Sequence, residues 1–486
     1  MRFEQLLAED YQKWREREFV FQKREGIYYP ITFGDFIEQA VYLAEALIKD
    51  GLLGKKIIVY GENSIEWMIA DIAIMSYVGI SIGLSKEYRR EDVENVVEKL
   101  EADAIIFSSR KKEVIEPIRE SFPDLKYYST DDWEHLMEIG KELAQRKNSI
   151  FDFAKKSMDE CVKVVMTSGT TSFPKAVMLS QRNIFAGWES LKKRAPMDTS
   201  DVCYLFLPLH HTYGGIYNFI YSLISGMRIY LSSATENIAA ELLEVEPTVF
   251  CAVPLIFKTI YDCCAGDLDK LANAFGKRVK YLFTGGAYLD EKIRLAYRES
   301  GLNLLVAYAL SETASSFSIE YSGSRNPSSV GTIFEDIIVK IHNPNENGEG
   351  ELLVKGDNVF LGYMNNPEAT RRAFVDGFFK TGDIGYIDAQ NNLYLTGRIK
   401  NTLLTSKGEN IYPDDVENRI RAKSSNINKV KVFLEKEDLC AHLYIKEETP
   451  TDYKKIIEEY NLNSPKRERI VKFEVFVDSV DKRLKQ

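Results

Sequence analysis

The sequence predicts an α/β protein: a large N-terminal region of two parallel-sheet α/β subdomains plus a small β subdomain, followed by a small α+β C-terminal domain. Three observations predict it. Short β-branched and apolar runs alternate with amphipathic segments through the first three hundred residues, the pattern of parallel sheets covered by helices on both faces. After about residue 316 the helical segments give way to short strands broken by Gly, Asn and Pro turns. From about residue 398 helix and strand signals return over a much shorter stretch.

In chain order, IIVYG at 57–61, GISIGL at 79–84 and AIIF at 104–107 read as strands, separated by helix-like segments at 64–78 and 90–100. A second series of strands follows in VKVVMT, CYLFL, MRIYL, TVFCAV, VKYLFT and NLLVAY. In such sheets ligands bind beyond the carboxyl ends of the strands, so the loops after these runs are where chemistry belongs. The turn-rich HNPNENGEGELLVKG and DAQNNLYLTG mark the β subdomain. The last unit has a Pro-started helix at 413–423, strands near 429–434 and 440–446, and a helix near 452–460. The boundary is placed between 397 and 398, dividing 1–397 from 398–486.

Composition narrows the function. The 486 residues carry 63 Lys plus Arg against 73 Asp plus Glu, a net charge of −10, and 45% are apolar. That material builds sizeable cores and excludes disordered, collagenous and coiled-coil chains. No basic excess or stripe is present, which argues against nucleic acid and for a small-molecule or protein partner. The six cysteines show no Cys-x-x-Cys spacing and read as reduced, mostly buried thiols. The start, MRFEQLLAEDYQKW, is polar and acidic and lacks the features of a secretory signal, so a cytoplasmic location is expected. The most apolar stretch, Trp67 to Leu84, contains Asp71, Gly79 and Gly83 and reads as a buried helix running into a buried strand. Membrane association is therefore expected to be at most peripheral.

The most informative segment is Val164-Val-Met-Thr-Ser-Gly-Thr-Thr-Ser-Phe-Pro-Lys175, a buried strand opening into a hydroxyl-rich loop that ends in a lysine. Hydroxyls, free backbone N–H groups and one fixed cation suit a polyphosphate. A polar surface turn has much the same composition. The segment is not a Walker loop, because Pro174 precedes Lys175 and Ala176 stands where Ser or Thr would hold magnesium.

Further segments occur in order: Pro208-Leu-His-His-Thr-Tyr-Gly214, Thr284-Gly-Gly-Ala287, Tyr308-Ala-Leu-Ser-Glu-Thr313, Gly350-Glu-Leu-Leu-Val-Lys-Gly356, Gly362-Tyr363, Lys380-Thr-Gly-Asp383 and Gly397-Arg-Ile-Lys-Asn401. With the lysine loop, this series resembles the adenylate-forming superfamily: AMP-forming acyl-CoA synthetases, luciferases and nonribosomal peptide adenylation domains. Residues 247–257 and the segment Thr405-Ser-Lys-Gly-Glu-Asn-Ile-Tyr-Pro413 are similar to bacterial long-chain fatty acyl-CoA synthetases in particular.

The resemblance implies ATP-dependent conversion of a carboxylic acid, with a fatty acid as the expected class, to an acyl-adenylate and pyrophosphate, then thioester formation with CoA. It implies that Thr167, Ser168, Gly169, Thr170, Thr171 and Lys175 wrap the β- and γ-phosphates. Glu312 would bind Mg²⁺, and Ser311 or Thr313 would reach the α-phosphate. Gly285, Gly286 and Ala287 would approach the adenine, Tyr308 would stack on it, and Asp383 and Arg398 would hold the ribose. His211, Tyr213 and Gly214 are assigned to the acyl pocket, with His211 positioning the substrate and His210 facing away. Lys400 is implied as the hinge of a small domain that swings between two half-reactions, and Lys407, Gly408 and Glu409 as the thioester-site loop.

Several features depart from the family pattern. Ser172 and Ala176 replace glycines around Pro174 and Lys175, and Ala309 replaces the glycine after Tyr308. At the C-terminus the strand-like 473–477 leads into Asp478-Ser-Val-Asp-Lys-Arg-Leu-Lys-Gln486, where Lys482 and Lys485 are the candidates for the adenylation lysine; Lys485 is assigned. Two alternatives stay open. One is an acyl-AMP ligase that loads an acyl carrier protein; the other is a catalytically impaired nucleotide- and acyl-binding relative.

Overall fold

The computed structural model describes residues 1–167, 174–323, 326–404, 410–435, 438–447 and 451–477. Two large sheets form the N-terminal region. The first runs, edge to edge, through Gly362–Tyr363, Lys175–Ser180, Cys161–Thr167, Ile80–Leu84, Lys56–Tyr60, Ala104–Phe107 and Lys126–Ser129. From Cys161–Thr167 onward its neighbours are parallel, with Ile58 opposite Ile82 and Ile105. The second contains a parallel series through Leu304–Ala309, Tyr281–Gly285, Val249–Ala252, Val202–Leu205, Arg228–Leu231 and Glu18–Arg24, flanked by antiparallel edges. Every residue of Ala104–Phe107, Val202–Leu205 and Val249–Ala252 is buried. Burial on both faces is why these strands read as unbroken apolar runs.

The strands of the sequence reading occur within a residue or two of their expected places, and helix Arg90–Leu100 matches its expected bounds. The expected helix at 64–78 is two structures. Ser64 Oγ caps it by accepting from Trp67 N at 3.1 Å. The α-helix Ile65–Ala73 then widens into a π-turn, Ile74–Val78. Lys156 Nζ donates to the carbonyls of Ile74, Met75 and Gly79 at 3.1, 3.1 and 2.7 Å, satisfying groups that the wider turn leaves open.

A hairpin absent from the sequence reading, Glu18–Arg24 with Ile27–Thr32, turns at Glu25 and Gly26, both at positive φ. It joins the second sheet through the parallel register Val20 to Ile229. The β subdomain is an antiparallel sheet of Ile338–His342, Gly350–Lys355, Phe378–Ile387, Phe374–Val375 and Leu393–Arg398. The small C-terminal unit pairs Ile427–Glu435, Asp438–Ile445 and Lys472–Val477 and adds helices Pro413–Arg421 and Tyr453–Leu462. Its core, including Val416, Ile420, Val432, Leu443, Ile457 and Tyr460, is separate from the cores of the large region. The proposed 397/398 boundary falls at the last residues of strand Leu393–Arg398. Among the described residues no helix is long and apolar enough to cross a membrane.

Candidate active site

A cavity of about 920 Å³ lies where the carboxyl ends of both parallel sheets meet the β subdomain. Thr167, Gly285 and Ala309 reach it from the ends of strands Cys161–Thr167, Tyr281–Gly285 and Leu304–Ala309. The wall also contains Lys175, His211, Tyr213, Gly214, Gly286, Ser311, Glu312, Asp383, Arg398 and Lys400. These expected site residues, separated by more than two hundred positions, thus share one space.

Lys175 begins a strand rather than ending a loop. It pairs across the sheet with Thr167, whose Oγ1 donates to the Lys175 carbonyl at 3.3 Å. Both ends of the hydroxyl-rich segment are therefore fixed side by side; Ser168, Gly169, Thr170 and Thr171 lie outside the described residues. Lys175 Nζ donates to the Tyr363 hydroxyl at 3.2 Å and lies 4.3 Å from the centre of its ring. That hydroxyl donates in turn to Glu312 Oε1 at 2.8 Å. Desolvation lowers the Lys175 pKa, the charges of Lys400 and Arg372 lower it further, and Glu312 opposes them. Burial and the Glu312 carboxylate raise the Tyr363 pKa, so its hydroxyl stays protonated and donates.

At the other side, Arg398 Nε is 2.8 Å from Asp383 Oδ1, and the Tyr308 hydroxyl donates to Asp383 Oδ2. Asp383 is 4% exposed, and burial raises its pKa against the opposing pull of the Tyr308 hydrogen bond and Arg398. Tyr308 is buried behind the wall, edge-on to Phe317 at 4.8 Å, and does not line the cavity. In this structure it holds Asp383 rather than presenting a face for stacking.

Ser311 is on the wall, whereas Thr313 is buried in the turn, its Oγ1 accepting from Leu310 N and donating to the Ser315 carbonyl at 2.8 Å. Of the two hydroxyls expected near the α-phosphate, only that of Ser311 is available. Ala287 is exposed and off the wall, while Gly286, at φ +80°, adopts a backbone that side chains strain to reach. Lys407, Gly408, Glu409, Lys482 and Lys485 lie outside the described residues.

The opposite end is apolar. His211 keeps solvent contact at the wall, and desolvation by its surroundings lowers its pKa, favouring the neutral ring. His210 is off the wall and pushed down to about 3 by burial, with the charges of His211 and Lys163 adding to it. The wide-turn helix Thr212–Ile220 follows, and a Cβ on Gly214 would stand 2.2 Å from the Pro208 carbonyl, so glycine lets this helix seat against its own loop.

Sequence reasoning gave no role to Tyr363 or Lys380, although it quoted the Gly362-Tyr363 pair and Lys380-Thr-Gly-Asp383, and missed Arg372; all three line the cavity. Nothing in the sequence separates Arg372 from a solvated helix face. With them the wall holds five cations, Lys175, Arg372, Lys380, Arg398 and Lys400, against Glu312, Glu351 and Asp383. A locally positive cavity in a chain of net charge −10 is suited to a polyanion. Among the described residues no group of three or more His, Cys, Asp and Glu could hold a metal by itself. One carboxylate, Glu312, beside cations that attract phosphate fits Mg²⁺, which is held by one or two carboxylates and substrate phosphates.

Residues 7–364 match the family model described as AMP-binding enzyme. The long-chain-fatty-acid–CoA ligase ACSBG2 of Xenopus laevis is 24% identical over 506 residues, covering 90% of this chain and 68% of that protein. The oxalate–CoA ligase of Arabidopsis thaliana is 29% identical over 403 residues, covering 79% and 76% respectively. Among solved structures, the o-succinylbenzoate CoA synthetase of Bacillus subtilis, in complex with its acyl-adenylate intermediate, superposes with a TM-score of 0.80 at 22% identity. That superposition covers 97% of this chain and 94% of that one.

Proposed function

The chain belongs to the AMP-binding enzyme family, and from that premise we propose that it is an AMP-forming acid:CoA ligase acting on fatty acids. A carboxylate oxygen of the acid attacks the α-phosphorus of ATP, and the bond to pyrophosphate breaks to leave an acyl-adenylate. The CoA thiolate then attacks the acyl carbon, the bond to AMP breaks, and the thioester forms.

Neither step requires a protein nucleophile; both require two anions to be held together and developing charge to be neutralised. Lys175 neutralises the β- and γ-phosphates, with Arg372 and Lys400 adding positive charge at the same end. Glu312 would hold Mg²⁺, whose hard charge would lower the cost of bringing a carboxylate to a polyphosphate. Tyr363 keeps Lys175 and Glu312 in register. Asp383, oriented by Tyr308 and Arg398, accepts from the ribose hydroxyls, and Gly285 and Gly286 admit the adenine. Neutral His211 positions the acid without adding a charge that would trap its carboxylate.

The observation that carries this reading is that one cavity is lined both by cations, Lys175 among them, and by the aromatic side chains of Tyr213, Tyr217 and Phe283. The C-terminal unit, with Lys400 as hinge and Lys485 as adenylation lysine, supplies the second conformation in this scheme. The test is acid-dependent exchange of radiolabelled pyrophosphate into ATP. Wild-type protein should catalyse it, and Lys175→Ala and Glu312→Gln should each lose about 100-fold or more. Exchange at near-normal rates in both variants would place the phosphates elsewhere.

A further inference from the structure

Resting on the acid-activating reading above, we propose that Tyr213, Tyr217 and Phe283 close the far end of the acyl site, so that this chain takes short-chain fatty acids and excludes long ones. The three side chains seal the seam between the wide-turn helix Thr212–Ile220 and strand Tyr281–Gly285. The Tyr213 hydroxyl donates to the Phe283 carbonyl at 2.8 Å, pinning helix to strand. The Tyr217 ring meets Tyr213 at 5.7 Å and 81° and Phe283 at 5.4 Å and 73°, both edge-on contacts of the favourable kind.

Behind this seal the protein is filled. Tyr221 packs 5.6 Å from Tyr217, and Cys203 and Cys251 are buried in the same core. The two other prominent cavities share no lining residue with this one, so neither continues the acyl site beyond the rings. On the wall Lys175 joins Glu312 through Tyr363, Arg398 pairs with Asp383 and Lys380 with Glu351, and among the described residues no hydrogen bond or ion pair links a charged group of the wall to Tyr213, Tyr217 or Phe283, which leaves the aromatic surface for an alkyl group. A long chain would have to break the Tyr213 hydrogen bond and part the rings, whereas a short one ends against them.

The Tyr217 hydroxyl is buried and has no hydrogen-bond partner among the described residues. The ring, not the hydroxyl, therefore does the sealing, and this separates two substitutions. Tyr217→Phe keeps the ring and should keep the chain-length profile. Tyr217→Ala opens the floor.

The experiment measures acid-dependent pyrophosphate release by the full chain with butyrate, hexanoate, octanoate, palmitate and benzoate. Wild-type kcat/KM for hexanoate should exceed that for palmitate by about 100-fold or more. Tyr217→Ala should raise the palmitate value by about tenfold and Tyr217→Phe should leave the profile unchanged. Palmitate used as well as hexanoate by wild-type protein would overturn the proposal, as would an unchanged profile in a folded Tyr217→Ala variant. A preference for benzoate over hexanoate would overturn the aliphatic assignment. If Tyr217→Ala fails to fold, the wild-type panel decides alone. Activity with no acid at all would instead defeat the ligase reading on which this rests.

Discussion

The Tyr363 hydroxyl donates to Glu312 Oε1 at 2.8 Å while accepting from Lys175 Nζ at 3.2 Å, so one phenol joins the proposed metal carboxylate to the proposed phosphate lysine. The two charges are held apart at a fixed spacing before any nucleotide arrives. Tyr363→Phe removes the hydroxyl and keeps the ring. Losing a hydrogen bond to charged groups costs about 1.5–3 kcal/mol, and part of that should appear as a KM for ATP raised about tenfold. The check is the split between KM and kcat: a merely structural role would lower stability and leave the ATP KM unchanged.

Arg372 is exposed on helix Pro367–Ala373, and its Nη1 is 3.1 Å from Glu368 Oε1, yet it lines the cavity and its charge reaches Lys175. Exposed pairs of this kind contribute little, so the guanidinium is available to a polyphosphate. Arg372→Ala should raise the ATP KM about threefold, with a larger effect at low salt because exposed charges are screened. Glu368→Gln releases the competing carboxylate and should lower it. Steady-state kinetics at two salt concentrations would test both signs.

Lys163 Nζ lies 2.7 Å from both carboxylate oxygens of Asp71, with Ser81 Oγ donating to Oδ1 at 2.5 Å, and Asp71 and Lys163 are fully buried. Lys163 sits in the strand that leads to the proposed phosphate-binding segment, four residues before Thr167. Removing one partner leaves an uncompensated buried charge, so Asp71→Asn should cost about 3–5 kcal/mol in urea unfolding. The double variant Asp71→Asn with Lys163→Met should lose less than the sum of the two single changes.

Asp10, on helix Phe3–Trp14, is 5% exposed, and desolvation pushes its pKa up to about 8, with Lys13 opposing and Glu9 adding. Its folded pKa lies above the ordinary aspartate value of 3.8, so between about 4 and about 8 the folded state holds a proton that the unfolded chain has released. Stability must then fall as pH rises through that window. Asp10→Asn removes the titration and should raise Tm at pH 8 while changing it little at pH 4. A constant difference across the range would contradict the assignment.

The parallel strands were legible because burial on both faces writes them as continuous apolar runs, as in Ala104–Phe107. The Glu18–Thr32 hairpin was not, since its register partner Ile229 is some two hundred positions away and no local pattern encodes that pairing. The π-turn at Ile74–Val78 read as ordinary helix, because its cause is tertiary, carbonyls taken by Lys156, and the wide-turn helix Thr212–Ile220, where a loop backbone presses against Gly214, had no element assigned to it. Motif order placed Lys175, Glu312, Asp383 and Arg398 in one site, whereas the withdrawal of Tyr308 and Thr313 from the wall depends on hydrogen bonds that spacing does not reveal. Arg372 became visible only when helix Pro367–Ala373 was brought against Lys175.

The most direct test of the central claim is product stoichiometry with hexanoate, ATP, Mg²⁺ and CoA. The proposed ligase should release pyrophosphate slowly without CoA, turn over faster on its addition, and yield AMP, pyrophosphate and hexanoyl-CoA in equal amounts. Formation of ADP and phosphate, or pyrophosphate release that CoA leaves unchanged with no thioester produced, would contradict it.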